Sequence, residues 1–169
     1  MATLAVGCGK KKDSSGGGSG TADKPAEGAA VNLPALKADP EMGAITPADK
    51  KPEEAVKFRM LDKRSGKGWP NYEAYNLGTK KITFLAIYGY AYDKDGKQVA
   101  HTKTPLSWNG ALEPGKKTDW DIEIGGFPED QVPATADSYE LCYDSLKYDG
   151  DADFTNISGH CPDTKEKGK

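Results

Sequence analysis

The stretch that decides the fold reads KITFLAIYGYAYDKDGKQVAHT and covers residues 81–102. Its first part, residues 81–92, is a run rich in Ile, Tyr and Phe, which are residue types typical of β-strands. Residues 93–97 then supply turn chemistry, because Gly96 can adopt the positive φ that a tight hairpin requires. Residues 98–102 are expected to return antiparallel, so the whole stretch predicts a β-hairpin.

Period-two alternation extends the β pattern to both sides of this hairpin. Before it, residues 56–62 alternate apolar and polar types, and residues 72–77 form a second short segment. After the turn LEPG at residues 112–115, residues 120–124 and 139–144 alternate again. No helical pattern of useful length appears among them. The chain is therefore predicted to be all-β, with six or seven short strands joined by turns.

We predict a single antiparallel immunoglobulin-like β-sandwich over residues 51–163, since about 100 residues is the usual size of such a domain. Residues 54–148 hold all three Trp, all eight Tyr and all four Phe except Phe154, so the core must lie there. Alternation directs one set of side chains to the shared core: Val56, Phe58, Trp120, Ile122, Ile124, Leu141 and Tyr143. It directs the charged set to water: Lys57, Asp119, Asp121, Glu123 and Glu140.

Composition and charge argue against several function classes. The net charge is −3, whereas proteins that bind nucleic acid through phosphates normally carry a basic face. No stretch approaches the roughly 20 apolar residues of a membrane span. His101 and His160 are the only histidines, and neither they nor the Ser, Cys and carboxylate residues match a catalytic signature. We therefore expect a non-enzymatic protein that uses no cofactor and binds no nucleic acid.

The segment Leu4-Ala5-Val6-Gly7-Cys8 resembles the lipobox of bacterial lipoproteins, a short apolar run with a small residue before a cysteine. The resemblance implies that the Cys8 thiol receives a diacylglycerol and that residues 1–7 are the remnant of a signal peptide, removed in the mature protein. Two departures stand out. Ala5 occupies a position where the family prefers Leu, Val or Ile, and seven residues are too few for a working leader. The alternative is an ordinary thiol in a tail.

The residues after Cys8 favour the lipoprotein interpretation. Residues 9–20 read GKKKDSSGGGSG, a polar, glycine-rich composition that cannot bury enough apolar surface to fold. Ala, Pro, Glu and Lys then dominate residues 22–52. We predict a lipid-anchored flexible linker over residues 8–50 and a disordered tail over residues 164–169. As an alternative, limited to residues 40–50, apolar side chains of the linker could lie along the domain surface; the apolar residues of the linker are Val31, Leu33, Leu36, Met42 and Ile45.

A second resemblance covers residues 70–125. The turn at residues 75–78 (YNLG), the long strand that ends in Tyr92-Asp93, the DKDGK hairpin and the turn at residues 112–115 are similar to the FxLYD domains and related immunoglobulin-like domains of bacterial cell-envelope proteins. The chain departs from that pattern by having Tyr88 and Tyr90 where the name-giving Phe and Leu would fall. The resemblance implies an extracytoplasmic β-sandwich and no established chemistry.

Cys161 lies nineteen positions after Cys142, in a turn with the sequence GHCP. In an oxidising compartment the natural interpretation is a disulfide between them, with Cα atoms about 4.4–6.8 Å apart. A zinc site formed by Cys142, His160 and Cys161 is the alternative. It lacks a fourth ligand, and the adjacent His and Cys give awkward geometry, so the disulfide is preferred.

Asp149, Asp151 and Asp153 alternate in the loop before Phe154, in a pattern similar to a calcium loop. However, the sixth place holds Phe154 where an EF-hand requires Gly, and the twelfth holds His160 where it requires Glu. A solvated acidic loop is the preferred interpretation. A ligand-binding or calcium-binding accessory role for residues 149–153 is kept as the second functional hypothesis.

The long strand carries a candidate binding face. Tyr88, Tyr90 and Tyr92 share one phase and, together with Trp108, could expose aromatic rings to a glycan or a protein. The opposite interpretation is a central strand covered on both faces, or a bulge at Gly89 that reverses its phase.

These observations together predict a cell-envelope lipoprotein outside the cytoplasm, held to the membrane by its lipid at Cys8. Its immunoglobulin-like domain is expected to act as a binding or structural module toward an envelope protein or a glycan.

Overall fold

The computed structural model describes residues 32–162, and two antiparallel sheets make up most of this region. Its strands are β1 (Val56–Arg64), β2 (Pro70–Asn76), β3 (Ile82–Tyr92), β4 (Gln98–His101), β5 (Leu106–Leu112), β6 (Ile122–Glu123), β7 (Ser138–Tyr148) and β8 (Thr155–Asn156). Two 3-10 helices of one turn each, Pro52–Glu54 and Pro128–Asp130, precede β1 and β7. Nowhere in residues 32–162 is there a helix with the length and apolar character needed to cross a bilayer.

The strands divide into a three-stranded sheet and a five-stranded sheet. The first has the order β1-β2-β6. In the second, β3 is central: β7 pairs along one side of it, while β4 and β5 share the other side and β8 adds a short edge beyond β7. Every pairing is antiparallel, so the predicted all-β sandwich is confirmed.

The hairpin at residues 93–97 is confirmed as well. The Asp93 carboxylate accepts hydrogen bonds from the backbone N–H groups of Asp95 (3.0 Å) and Lys97 (2.9 Å). Gly96 has φ of 76°, which its missing Cβ permits without strain. The turn therefore aligns β4 against the end of β3.

The central strand β3 contributes side chains to both faces of its sheet. Leu85, Ile87 and Ala91 are fully buried on the inner face. Gly89 lies in the same inward phase, and a Cβ there would be 2.3 Å from Ile124 Cδ1 and 3.1 Å from the Trp69 ring. Gly89 is thus required because the two sheets approach closely, and not for a bulge. The register shifts between β3 and β7 lie elsewhere, at residues 82–84 and 86–87.

The predicted core is confirmed with one exception. Ile122, Ile124 and Tyr143 are buried, Val56 is 9% exposed, and the half-buried Phe58 and Leu141 pack against the same cluster. The charged set that alternates with them is exposed or, for Asp121, half-buried in an ion pair with Lys63.

Trp120 is the exception, because 55% of its surface is exposed. The prediction that it faces the core is wrong for a reason of register. Lys117 pairs with Tyr75 and Ile122 pairs with Tyr72, so an advance of five positions along one strand matches an advance of three along the other. The extra length bulges outward over residues 119–121 and carries the Trp120 indole to the surface, where its ring centroid lies 6.5 Å from that of Trp108.

Residues 33–48, which we call the strap, run against the sandwich although they were predicted to be linker. The Asp39 backbone N–H donates to Met60 O (3.0 Å), and the Met60 N–H donates to the Asp39 carboxylate (2.9 Å). Farther along, Ala48 N–H donates to Leu77 O (3.1 Å). Leu33 packs against the core cluster. The packed region therefore begins before residue 51.

Candidate binding site

The disulfide that the sequence predicts lies on the outer side of the five-stranded sheet. Cys142 and Cys161 form a disulfide with a Cα–Cα distance of 5.5 Å, inside the predicted range. Cys161 is fully buried and Cys142 is 3% exposed, with Tyr90 in the same small cluster. Since both thiols are consumed in this bond, the zinc alternative with His160 is excluded. Cys8 lies outside the described residues.

The candidate aromatic face is divided between the two sides of the sheet. Tyr88 and Tyr92 are half-buried on the outer side, where Tyr90 is 1% exposed and its ring stacks with His101 at a centroid distance of 6.2 Å. Trp108 pairs with Leu85 and belongs to the inner core. The four residues therefore do not form one exposed surface.

The carboxylates of the acidic loop, residues 149–153, do not converge on a common point. Asp149 forms an ion pair with Lys81 at 2.7 Å, and all three aspartates are exposed. Within residues 32–162, no three side chains of His, Cys, Asp or Glu are grouped so that they could hold a metal ion. Asp149, Asp151 and Asp153 therefore provide no geometry for the calcium hypothesis.

A different site lies where the two sheets part along the sides of β1 and β7. We call this cleft, of about 330 Å³, the intersheet groove. It exists because β8 pairs with β7 only at Ser145 and Leu146, while β1 is the edge of its sheet. Its lining is Asp39, Glu53, Val56, Lys57, Phe58, Met60, Tyr72, Tyr139, Glu140, Leu141, Tyr143 and His160.

Aromatic rings form most of the apolar wall of the groove. Phe58 meets Tyr143 edge to face, with ring centroids 6.1 Å apart. The Tyr143 hydroxyl donates to Pro52 O (2.6 Å) and accepts from the Val56 N–H (3.2 Å), which fixes this ring between the sheets. The Tyr139 hydroxyl accepts from the Arg64 guanidinium at 3.0 Å. The wall is thus held in place by hydrogen bonds on its polar ends.

Tyr72 is the exceptional polar residue of the groove. It is 3% exposed, and its hydroxyl is buried without a hydrogen-bond partner among residues 32–162. Burial, and after it the negative charge of Asp39, raises the pKa of Tyr72 far above its usual value, so the hydroxyl stays protonated. A buried hydroxyl with no partner costs free energy, which makes this position a candidate contact for a ligand.

A second polar cluster occupies the outer face of the three-stranded sheet. Glu73 accepts from Arg59 (2.9 Å), from the Tyr75 hydroxyl (2.9 Å) and from Lys117. Burial alone would raise the pKa of Glu73, but hydrogen bonds from Lys117, Arg59 and Tyr75 outweigh it and hold the pKa below its ordinary value. All partners are satisfied internally, so this cluster stabilises the fold and offers no open site.

The groove residues were not identified from the sequence as a site. Tyr139, Leu141 and Tyr143 were noted for their alternation, and Tyr72 as the start of a short strand, which are signals of a core. The groove arises because two strand edges remain apart, and alternation within one strand carries no information on that. No protein-family model, curated protein or solved structure matches this chain, so the groove, the disulfide and the Cys8 motif are the basis for a functional proposal.

Proposed function

We propose that this protein is an exported, lipid-anchored cell-envelope protein whose β-sandwich serves as a non-enzymatic binding module. The observation that carries the proposal is the Cys142–Cys161 disulfide, buried against Tyr90. Disulfides of this kind persist in oxidising compartments and are rare in the cytosol. The lipobox-like residues 4–8 and the glycine-rich residues 9–20 supply the membrane anchor.

The intersheet groove supports the binding part of the proposal. Ligand sites are typically concave and combine apolar and aromatic side chains with convergent polar groups, and the groove contains both kinds of side chain. The similarity of residues 70–125 to FxLYD-type domains supports the same location, since those domains occur in bacterial cell-envelope proteins.

Fractionation of bacteria that express the chain behind a complete lipoprotein leader tests the anchoring. The wild-type protein should appear in the membrane fraction and incorporate labelled palmitate. A Cys8→Ala variant should do neither, whereas Ser14→Ala, in the same polar segment, should behave as wild type. Soluble wild-type protein with an unmodified Cys8 thiol would refute the proposal.

Thiol labelling tests the export separately. Protein recovered from outside the cytoplasm should show no reaction at Cys142 or Cys161 after denaturation without a reductant. Free thiols at both positions in the exported protein would contradict the oxidising location.

A further inference from the structure

The intersheet groove combines an apolar floor with one buried hydroxyl that lacks a partner. Phe58, Met60 and Leu141 are half-buried, so part of each apolar surface faces the cleft. Tyr72 belongs to the same lining, and its buried hydroxyl has no hydrogen bond among residues 32–162. An occupant that brought a polar atom to this hydroxyl would satisfy it, and its apolar part would cover the three half-buried side chains.

The charges around the groove favour a positive occupant. The residues that line the groove include three acidic ones, Asp39, Glu53 and Glu140, and one lysine, Lys57, although the Glu140 carboxylate accepts a hydrogen bond from the Tyr92 hydroxyl (3.2 Å). The charge of Asp39 raises the pKa of Tyr72 more than the charge of Arg64 lowers it, and Glu140 adds a smaller rise, so the net effect of these charges at the hydroxyl is that of a negative potential.

Arg64 is the other cation near this hydroxyl, and it is already engaged. Its guanidinium donates to the Tyr139 hydroxyl (3.0 Å) and to Pro34 O (2.7 Å), and it stacks over the Tyr139 ring at 5.2 Å. These neutral acceptors hold the Arg64 side chain in place without cancelling its charge, which lowers the pKa of Tyr72 less than Asp39 raises it.

The size of the groove restricts the occupant to a small molecule. A volume of about 330 Å³ is at the lower end of the range found for ligand pockets, about 300–1,000 Å³. Aromatic rings also attract organic cations through their negative faces. Phe58, Tyr72 and Tyr143 supply three such rings, while the Tyr139 ring already carries the Arg64 guanidinium.

We propose that the intersheet groove binds a small organic cation, with an ammonium head near Asp39 and the Tyr72 hydroxyl and an apolar body on Phe58, Met60 and Leu141. This inference rests on the proposed function, because it names the ligand class of the same binding module. The unbranched, flexible Met60 side chain lies beside Tyr72 across the β1–β2 ladder and can shift to admit the head group.

Titration of the full chain, produced without lipid, tests this with three probes that differ in charge. The probes are 2-phenylethylammonium, neutral 2-phenylethanol and anionic 3-phenylpropionate. With methyl-¹³C methionine, NMR should show a saturable shift of the Met60 signal, whereas Met42, which does not line the groove, should stay in place. The cation should bind about tenfold or more tightly than the anion.

Two variants assign the contacts. Tyr72→Phe removes the hydroxyl alone and should weaken cation binding about two- to tenfold, while the variant unfolds at the same or a higher temperature. Asp39→Asn removes the charge but keeps an oxygen for the Met60 N–H, and should weaken cation binding about three- to tenfold. Asp119→Asn, on an exposed residue outside the groove, is the matched control and should leave the affinity unchanged.

Three results would overturn the inference: no saturable shift with any probe, equal affinity for all three probes, or tighter binding of the anion. Unchanged cation affinity in both Tyr72→Phe and Asp39→Asn would also overturn it. None of these results alters the membrane fractionation of wild-type and Cys8→Ala protein, so failure of the ligand class is distinguishable from failure of the anchored module.

Discussion

Replacing Asn76 by alanine should remove a buried junction between the two sheets. Asn76 ends β2 and is fully buried. Its side-chain amide donates to Lys80 O (2.8 Å) and Leu112 O (2.9 Å), and its side-chain oxygen accepts from the Gly78 N–H (2.9 Å). One side chain therefore holds the β2–β3 turn closed and ties it to the end of β5.

The magnitude follows from these three hydrogen bonds. Each contributes about 1 kcal/mol net, so Asn76→Ala should lower the free energy of unfolding by about 3 kcal/mol. Asn71 is the matched control, since it lies on the same strand and is 4% exposed. It has one long contact, 3.4 Å to Glu123, and its side-chain oxygen is unpaired. Asn71→Ala should change the stability by less than about 1 kcal/mol.

Urea unfolding followed by tryptophan fluorescence, with the disulfide intact, measures both variants against wild type. The comparison requires the same m-value in all three proteins, because a changed slope would indicate a loss of two-state behaviour. Equal losses at the two positions, or a loss below about 1 kcal/mol for Asn76→Ala, would refute the reasoning that the hydrogen bonds of Asn76 set its contribution.

Three other measurements address the core, the disulfide and the charge cluster. Ile122→Ala should cost about 2–5 kcal/mol while Glu123→Ala stays within about 0.5 kcal/mol, and equal urea midpoints would contradict the strand orientation. Joint replacement of Cys142 and Cys161 by alanine should lower stability by about 3 kcal/mol; an unchanged midpoint would argue against the crosslink. The pKa of Glu73 is lower in the folded state than in the unfolded state. The stabilisation that Glu73 gives the folded state should therefore be complete above its pKa in the unfolded state, about 4.3. It should be lost as the pH falls through the pKa of Glu73 in the folded state. Between pH 7 and pH 2, the free energy of unfolding should fall less in Glu73→Gln than in wild type. Identical pH profiles in the two proteins would show that Glu73 does not contribute to the acid sensitivity.

The positions of strands could be predicted from the alternation of apolar and polar residues wherever one face of a strand is buried and the other is polar. Residues 56–62, the hairpin at residues 93–97 and the inward set of β7 were correct for this reason. The strand β5 was missed, because Asn109 and Gly110 interrupt its apolar pattern. The exposure of Trp120 was missed because register between strands depends on the partner, and alternation within a single strand does not contain it.

The candidate site was less predictable than the fold. The cysteine pair was correctly joined, because two cysteines in the folded segment leave one pairing. The aromatic residues Tyr88, Tyr90 and Trp108 were grouped by type, but the sheet places Trp108 on the side opposite the two tyrosines. Nothing in the sequence indicates that the Tyr72 hydroxyl is buried without a partner, because a tyrosine in an apolar strand is ordinarily a core residue whose hydroxyl is hydrogen-bonded.

The strap has a mechanical consequence for any load applied at its N-terminal end. Tension entering at Asn32 would first meet Pro34, held by Arg64, then Asp39 on Met60, and finally Ala48 on Leu77. These contacts would break one after another, each at about the cost of one or a few hydrogen bonds. While they hold, the load enters the sandwich from the side, through Arg64 and Met60 of β1 and then through Leu77, and it reaches the N-terminal end of β1 only after the last contact has opened. The strap is thus a series of weak links that open under load before the N-terminal end of β1 is pulled.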